Sequence, residues 1–265
     1  MSNLINELLD KLTIKSKKDL EDAQEVKHPH VPDLKILQCT ICKAYYARDT
    51  LKIDHYYGCK YFTSNPFNSG ITLGHRIKSS KEITQDLSEG ILQREYTIIS
   101  SNSIKSIIGS YGAGPCIILC MRNRNNTKTI LAHIDSITLN PLREFSVFDP
   151  KYTDVYIIGG DISSRDLIIR LLKVLIANGY NIIFAHVIMS ESNQFAINCI
   201  TGETWLDDEL DPKSLPTTID NKERNMRLTI VGYKESNLFK VNIPDIYIIH
   251  YYLIMKIKLI ICLLE

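Results

Sequence analysis

The chain has almost no net charge: 31 Lys and Arg stand against 30 Asp and Glu, a formal +1. That excludes a bulk electrostatic pull toward nucleic acid or an anionic membrane, although a local patch is still allowed. The first residues lack the apolar stretch of a secretory signal. Met1 to Leu20 reads instead as charged and helical, with Leu4, Leu8, Leu9 and Leu12 on one face. With no export signal, the seven cysteines are expected to be thiols and not disulfides. The expected location is cytoplasmic or nuclear. There is no internal repeat. What is present is a composition able to build a core, 45% hydrophobic and 23% charged, which excludes general disorder. A length of 265 residues suits one large domain with a small module.

The pattern along the chain divides it into an N-terminal helix and linker (1–36), a compact Cys/His unit (37–62), a second connection (63–90), a main domain (91–243) and an apolar tail (244–265). In the main domain, strands are expected over 91–100, 103–108, 116–121, 129–134, 155–158, 181–188 and 195–200, with 227–231 pairing to 238–243. The Gly-rich stretch 109–115 and the run 123–128 read as turns. A helix is expected over 164–178, capped by Ser163 and closed by Gly179, with Leu167, Ile168, Leu171, Leu172 and Leu175 inward. Strands outnumber helices, so the expected class is α+β. The tail is long enough to span a bilayer, but His250, Lys256 and Lys258 interrupt it. A buried strand and helix is favoured over a membrane anchor or a truncated chain end.

Cys116 follows a loop of small residues, Gly112 to Pro115, that would let a substrate approach the backbone. Amides of such a loop suit an oxyanion hole. His133 ends the next expected strand. If the two strands are neighbours, His133 can take the thiol proton and later return it to a leaving group. A third group such as Ser110 can orient the imidazole. Taken alone, a cysteine in an apolar strand is usually core. Cys120 shares the strand face of Cys116 and is read as core.

Particular motifs outweigh that bland reading. From about Ile91 to Trp205 the chain resembles the protein N-terminal asparagine amidohydrolases. The carriers are QRE at 93–95, Gly109 and Ser110 followed by Cys116, His133 with Asp135, IIGG at 157–160 followed by Arg165, and FAINCITGE at 195–203. The Ser–Cys–His layout is also similar to that of CheD-type glutamine deamidases. The resemblance implies a CheD-like mixed sheet sandwich with a flanking helix, Cys116 as nucleophile, His133 as base and Ser110 as the third group. Glu95 and Asp135 match acidic positions, and either is able to receive a substrate ammonium. The implied reaction deamidates N-terminal asparagine in proteins or peptides with no catalytic cofactor, and feeds N-degron degradation. Ser163 and Ser164 depart from the family, which tends to have acids there.

Cys39, Cys42, His55 and Cys59 form C-x2-C-x12-H-x3-C, the spacing of a structural zinc finger. Four ligands close the shell, so zinc would hold the fold and not catalyse. Tyr45, Tyr46, Tyr56 and Tyr57, with Lys43, Arg48, Lys52 and Lys60, would suit ubiquitin or nucleic acid as partner. The competing functions are a glutamine deamidase acting within proteins, and an adaptor whose deamidase-like domain is inactive.

Overall fold

The computed structural model describes residues 4–9, 11–12, 23–27, 35–39, 45–46, 70–135, 138, 148–189, 191–224 and 238–246. Three strands form a small antiparallel sheet: β1 (Ala23–Lys27), β2 (Lys35–Cys39) and β3 (Tyr45–Tyr46). β1 therefore occupies part of the segment read as a linker. Cys39 closes β2, whereas Cys42, His55 and Cys59 lie outside the described residues. So do the expected strand at 227–231 and the tail beyond Ile246.

The next strands are β4 (Ile71–Gly74), β5 (Ile77–Lys78), β6 (Ser88–Ile91), β7 (Glu95–Ile99) and β8 (Ile107–Ala113). They are followed by β9 (Ile117–Asn123), β10 (Thr129–Ile134) and β11 (Thr153–Gly159). Helix α1 (Arg165–Ala177) precedes β12 (Asn181–Val187), β13 (Asn193–Asn198), β14 (Glu203–Leu206) and β15 (Phe239–Val241). Two mixed sheets result. One has seven strands in the order β15-β7-β10-β9-β11-β12-β4, the other five in the order β5-β14-β13-β8-β6. With few helices, the architecture is α+β. No helix among the described residues is long and apolar enough to cross a membrane.

The strand alternation assigns the layers. On β9, Ile118 and Cys120 join Ile108, Phe195 and Ile197 between the two sheets. Its other residues, Ile117, Leu119 and Met121, pack with Leu167, Ile168, Leu171, Leu172 and Leu175 of α1. β9 is thus buried on both faces, which is why it reads as an unbroken apolar run. The sheet-to-sheet core and the helix layer sit on opposite sides of the seven-stranded sheet.

Several expectations are corrected. Residues 91–100 are not one strand: the chain leaves the five-stranded sheet at Ile91 and enters the seven-stranded sheet at Glu95. The turn between them puts Arg94 at φ 65° and is closed by Leu92 N–H donating to Glu95 Oε2 at 2.8 Å. The strand expected at 103–108 starts at Ile107 and runs through Gly109 to Ala113, into the stretch read as a turn. Gly109 is there for close packing. A Cβ on it would stand 2.6 Å from Leu215 Cδ1 and 2.8 Å from Ala196 Cβ. Ser163 does not cap α1; the N-cap is Ser164, whose side chain makes no capping bond, and Ser163 belongs to a preceding 3-10 turn. Gly179 does close the helix, at φ +75°. β15 pairs in parallel with β7, while its expected pairing with 227–231 lies outside the described residues. Residues 71–90, within the stretch 63–90 read as a connection, supply strands to both sheets.

Candidate functional site

β9 and β10 pair antiparallel around the 123–128 turn, with His133 opposite Ile118 and Ile134 opposite Ile117. Cys116 sits one residue before β9. By alternation it shares the face of Ile118, and hence of His133. That face looks across the sandwich at β8. There Ser110 Oγ lies 2.8 Å from His133 Nδ1 and donates to Ile91 O at 2.6 Å. The sequence-predicted Ser110 and His133 therefore meet across the two sheets. His133 Nε2 is buried with no hydrogen-bond partner among the described residues, so no thiol–imidazole bond is formed in this structure.

This geometry fixes the tautomer. A carbonyl only accepts, so the single Ser110 hydroxyl proton goes to Ile91 O. Ser110 Oγ must then accept from His133 Nδ1–H. Neutral His133 carries its proton on Nδ1 and presents a lone pair on Nε2, the form a general base needs.

Both groups rest uncharged. Burial, then the Asp135 and Asp161 carboxylates, push the Cys116 thiol up to about 12. Burial pulls His133 down to about 4, and Asp135 opposes it in part. Burial thus disfavours a thiolate–imidazolium pair at rest. Cys116 is 6% exposed, so the start of the strand is less open than expected. Cys120 is fully buried at 0% exposure.

The loop before Cys116 is anchored on both sides. Ser164 Oγ donates to Pro115 O at 2.6 Å, and Gly114 N–H donates to Gly112 O at 3.0 Å. Gly159, at φ +91°, ends β11 directly beneath it. A Cβ there would lie 2.8 Å from Ala113 Cβ and 2.9 Å from Cys116 O. We expect Gly159→Ala to cost about 2–5 kcal/mol, the sum of left-handed strain and overpacking. Equilibrium urea unfolding checks this; a change below about 1 kcal/mol would contradict it.

The two acidic candidates are placed differently. Glu95 is 1% exposed and grips Arg224 through both oxygens, at 2.7 Å (Oε1 to Nε) and 3.1 Å (Oε2 to Nη2). Its carboxylate is occupied by the protein itself. Asp135 follows β10, accepts from Gln93 Nε2 at 3.1 Å and Thr138 Oγ1 at 3.0 Å, and lies 3.8 Å from Arg94 Nε. The sequence reading missed Arg224, which lies 129 residues from Glu95, and Asp161, on the far side of Cys116. Residue type gives no signal for either. It also missed His186, whose Nδ1 is 2.8 Å from Thr72 Oγ1 and whose Nε2 is 3.1 Å from Asp207 Oδ2, outside hydrogen-bond alignment. No group of metal ligands assembles among the described residues.

No curated protein matches this chain. Residues 78–201, which carry Ser110, Cys116, His133, Asp135 and Asp161, match the model of the family described as protein N-terminal asparagine amidohydrolase.

Proposed function

We propose that the chain is a cysteine-dependent amidohydrolase that converts N-terminal asparagine to aspartate. The observation that carries the reading is the Ile91–Ser110–His133 chain, which leaves the Nε2 lone pair on the face shared with Cys116. The family match over residues 78–201 supports the substrate class.

In this mechanism the Cys116 thiol proton passes to His133 Nε2. The sulfur lone pair forms a C–S bond to the side-chain carboxamide carbon, and the carbonyl becomes an oxyanion. The Cys116 N–H is proposed as an oxyanion donor, since Pro115 has no N–H and the Gly114 N–H is already bonded. The C–N bond then breaks, and ammonia leaves with the proton returned by His133. Water then adds its hydroxide to the thioester carbon, the C–S bond breaks and sulfur takes water's other proton; the carboxylic acid released loses its own proton to solvent and becomes the aspartate carboxylate. Asp135, whose charge favours the His133 imidazolium, is proposed to assist the proton transfer from Cys116. The expected zinc finger at Cys39, Cys42, His55 and Cys59, and a ubiquitin or nucleic-acid ligand for it, remain separate proposals. So does the delivery of the new terminal aspartate to N-degron degradation.

Ammonia release from an Asn-initiated peptide tests the activity. Its pH profile tests the base. His133 must be unprotonated to accept the thiol proton, so kcat/KM should fall only as pH drops through about 4. An acid limb near the ordinary histidine value of about 6.5 would contradict the buried base. Ser110→Ala should lower kcat by about 10- to 100-fold with little change in KM, because the tautomer is no longer enforced. An unchanged kcat would remove Ser110 from the mechanism.

A further inference from the structure

Cys116 lies between two carboxylates supplied by the strands on either side of its own. The row Ile134–Ile117–Gly159 crosses β10, β9 and β11. One step beyond it stand Asp135 and Cys116, with Gly160 and then Asp161 on the third strand's extension. Asp161 accepts the Ser163 N–H at 2.8 Å and the Ser163 hydroxyl at 2.6 Å, both on Oδ1. No protein group among the described residues takes its Oδ2. Next to this bracket is an unpartnered buried atom, His133 Nε2, in a side chain 2% exposed.

The two acids do not act alike. A negative charge at Asp135 opposes a thiolate at Cys116 but favours the imidazolium at His133, so its effects on proton transfer offset each other. Asp161 acts on Cys116 without that compensation. A cation seated on Asp161 Oδ2 would relieve the repulsion, and the proposed substrate brings one in its α-ammonium. We propose that the substrate's own terminal ammonium, seated on Asp161, activates the Cys116 thiol by cancelling the repulsion that this carboxylate exerts on a forming thiolate. The inference rests on the amidohydrolase reading. It gives the site a chemical reason to prefer terminal over internal asparagine: a side chain without a neighbouring ammonium leaves the Asp161 repulsion in place, added to that of burial.

Asp161→Asn is the informative variant, because the amide keeps Oδ1 for Ser163 and removes only the charge. Alkylation of Cys116 by iodoacetamide at neutral pH, followed by mass spectrometry of the Cys116 peptide, should be about three- to tenfold faster in D161N than in the natural chain. The second arm compares an Asn-initiated peptide with its N-acetylated form on the natural chain. Acetylation should lower kcat and not only raise KM, and in D161N the two kcat values should converge. Alkylation no faster in folded D161N would overturn the proposal. If D161N does not fold, equal kcat for free and acetylated peptides on the natural chain would overturn it. Absence of ammonia from every peptide would instead overturn the amidohydrolase reading itself, which keeps the two failures distinct.

Discussion

Cys116→Ala should reduce ammonia release from an Asn-initiated peptide to background, a loss on the order of 10⁴-fold or more. Cys120→Ala should retain most of the rate. Both thiols lie on one face of β9, and burial raises both, Cys120 beyond Cys116. They differ in position. Cys116 stands at the strand's mouth behind the Gly112–Pro115 loop, one residue from the register partner of Ile134. Cys120 is opposite Leu131 in the closed sheet-to-sheet core. No substrate carbonyl can reach it without opening the sandwich. Cys116→Ser should be nearly inactive as well, since an alkoxide is far harder to form from the same neutral base. Full activity in folded Cys116→Ala would end the mechanism.

Arg224→Ala should destabilise the fold by about 3–5 kcal/mol, the range for removing one member of a buried ion pair. The Arg224 side chain is 8% exposed and that of Glu95 1%, so screening by water is small. Among the described residues, loss of the guanidinium leaves the buried carboxylate with the Leu92 N–H on Oε2. Thermal melting should fall by about 10 °C for a domain of this size. Glu95→Gln in the same background should recover part of the loss, because a neutral amide is less costly to bury. Activity should drop too: the Leu92–Glu95 turn carries the Arg94 N–H that donates to His133 O at 2.8 Å. An unchanged melting temperature would show that the pair contributes little.

These sites differ in how far the sequence reveals them. β10 spans 129–134 as the apolar pattern indicates, and α1 differs from its expected range by one residue at each end. Both are local: their periodicity, caps and turns lie within a few neighbouring residues. The β9–β10 hairpin is equally local, and it puts Cys116 and His133 on one face. What fails is decided by distant parts of the chain. The segment ILQREYTIIS has neither Gly nor Pro, so nothing marks its crossing between sheets. Arg94 simply adopts the left-handed conformation there. Gly109 looks like turn chemistry, but its role depends on Leu215 and Ala196 pressing on it. Glu95 matches a family acid, yet only the fold brings Arg224 to it. Asp161 follows β11, which lies beside Cys116 because β11 pairs with β9, a neighbour relation that spacing does not disclose.

The central claim is tested most directly by ammonia release from four otherwise matched peptides bearing terminal Asn, terminal Gln, internal Asn or internal Gln. The account predicts release from terminal Asn, accompanied by conversion to aspartate. Terminal Gln should be slower by about 10- to 200-fold, the range set by one extra methylene. The internal residues should give none. Release from internal residues, or none from terminal Asn with the folded protein, would contradict it.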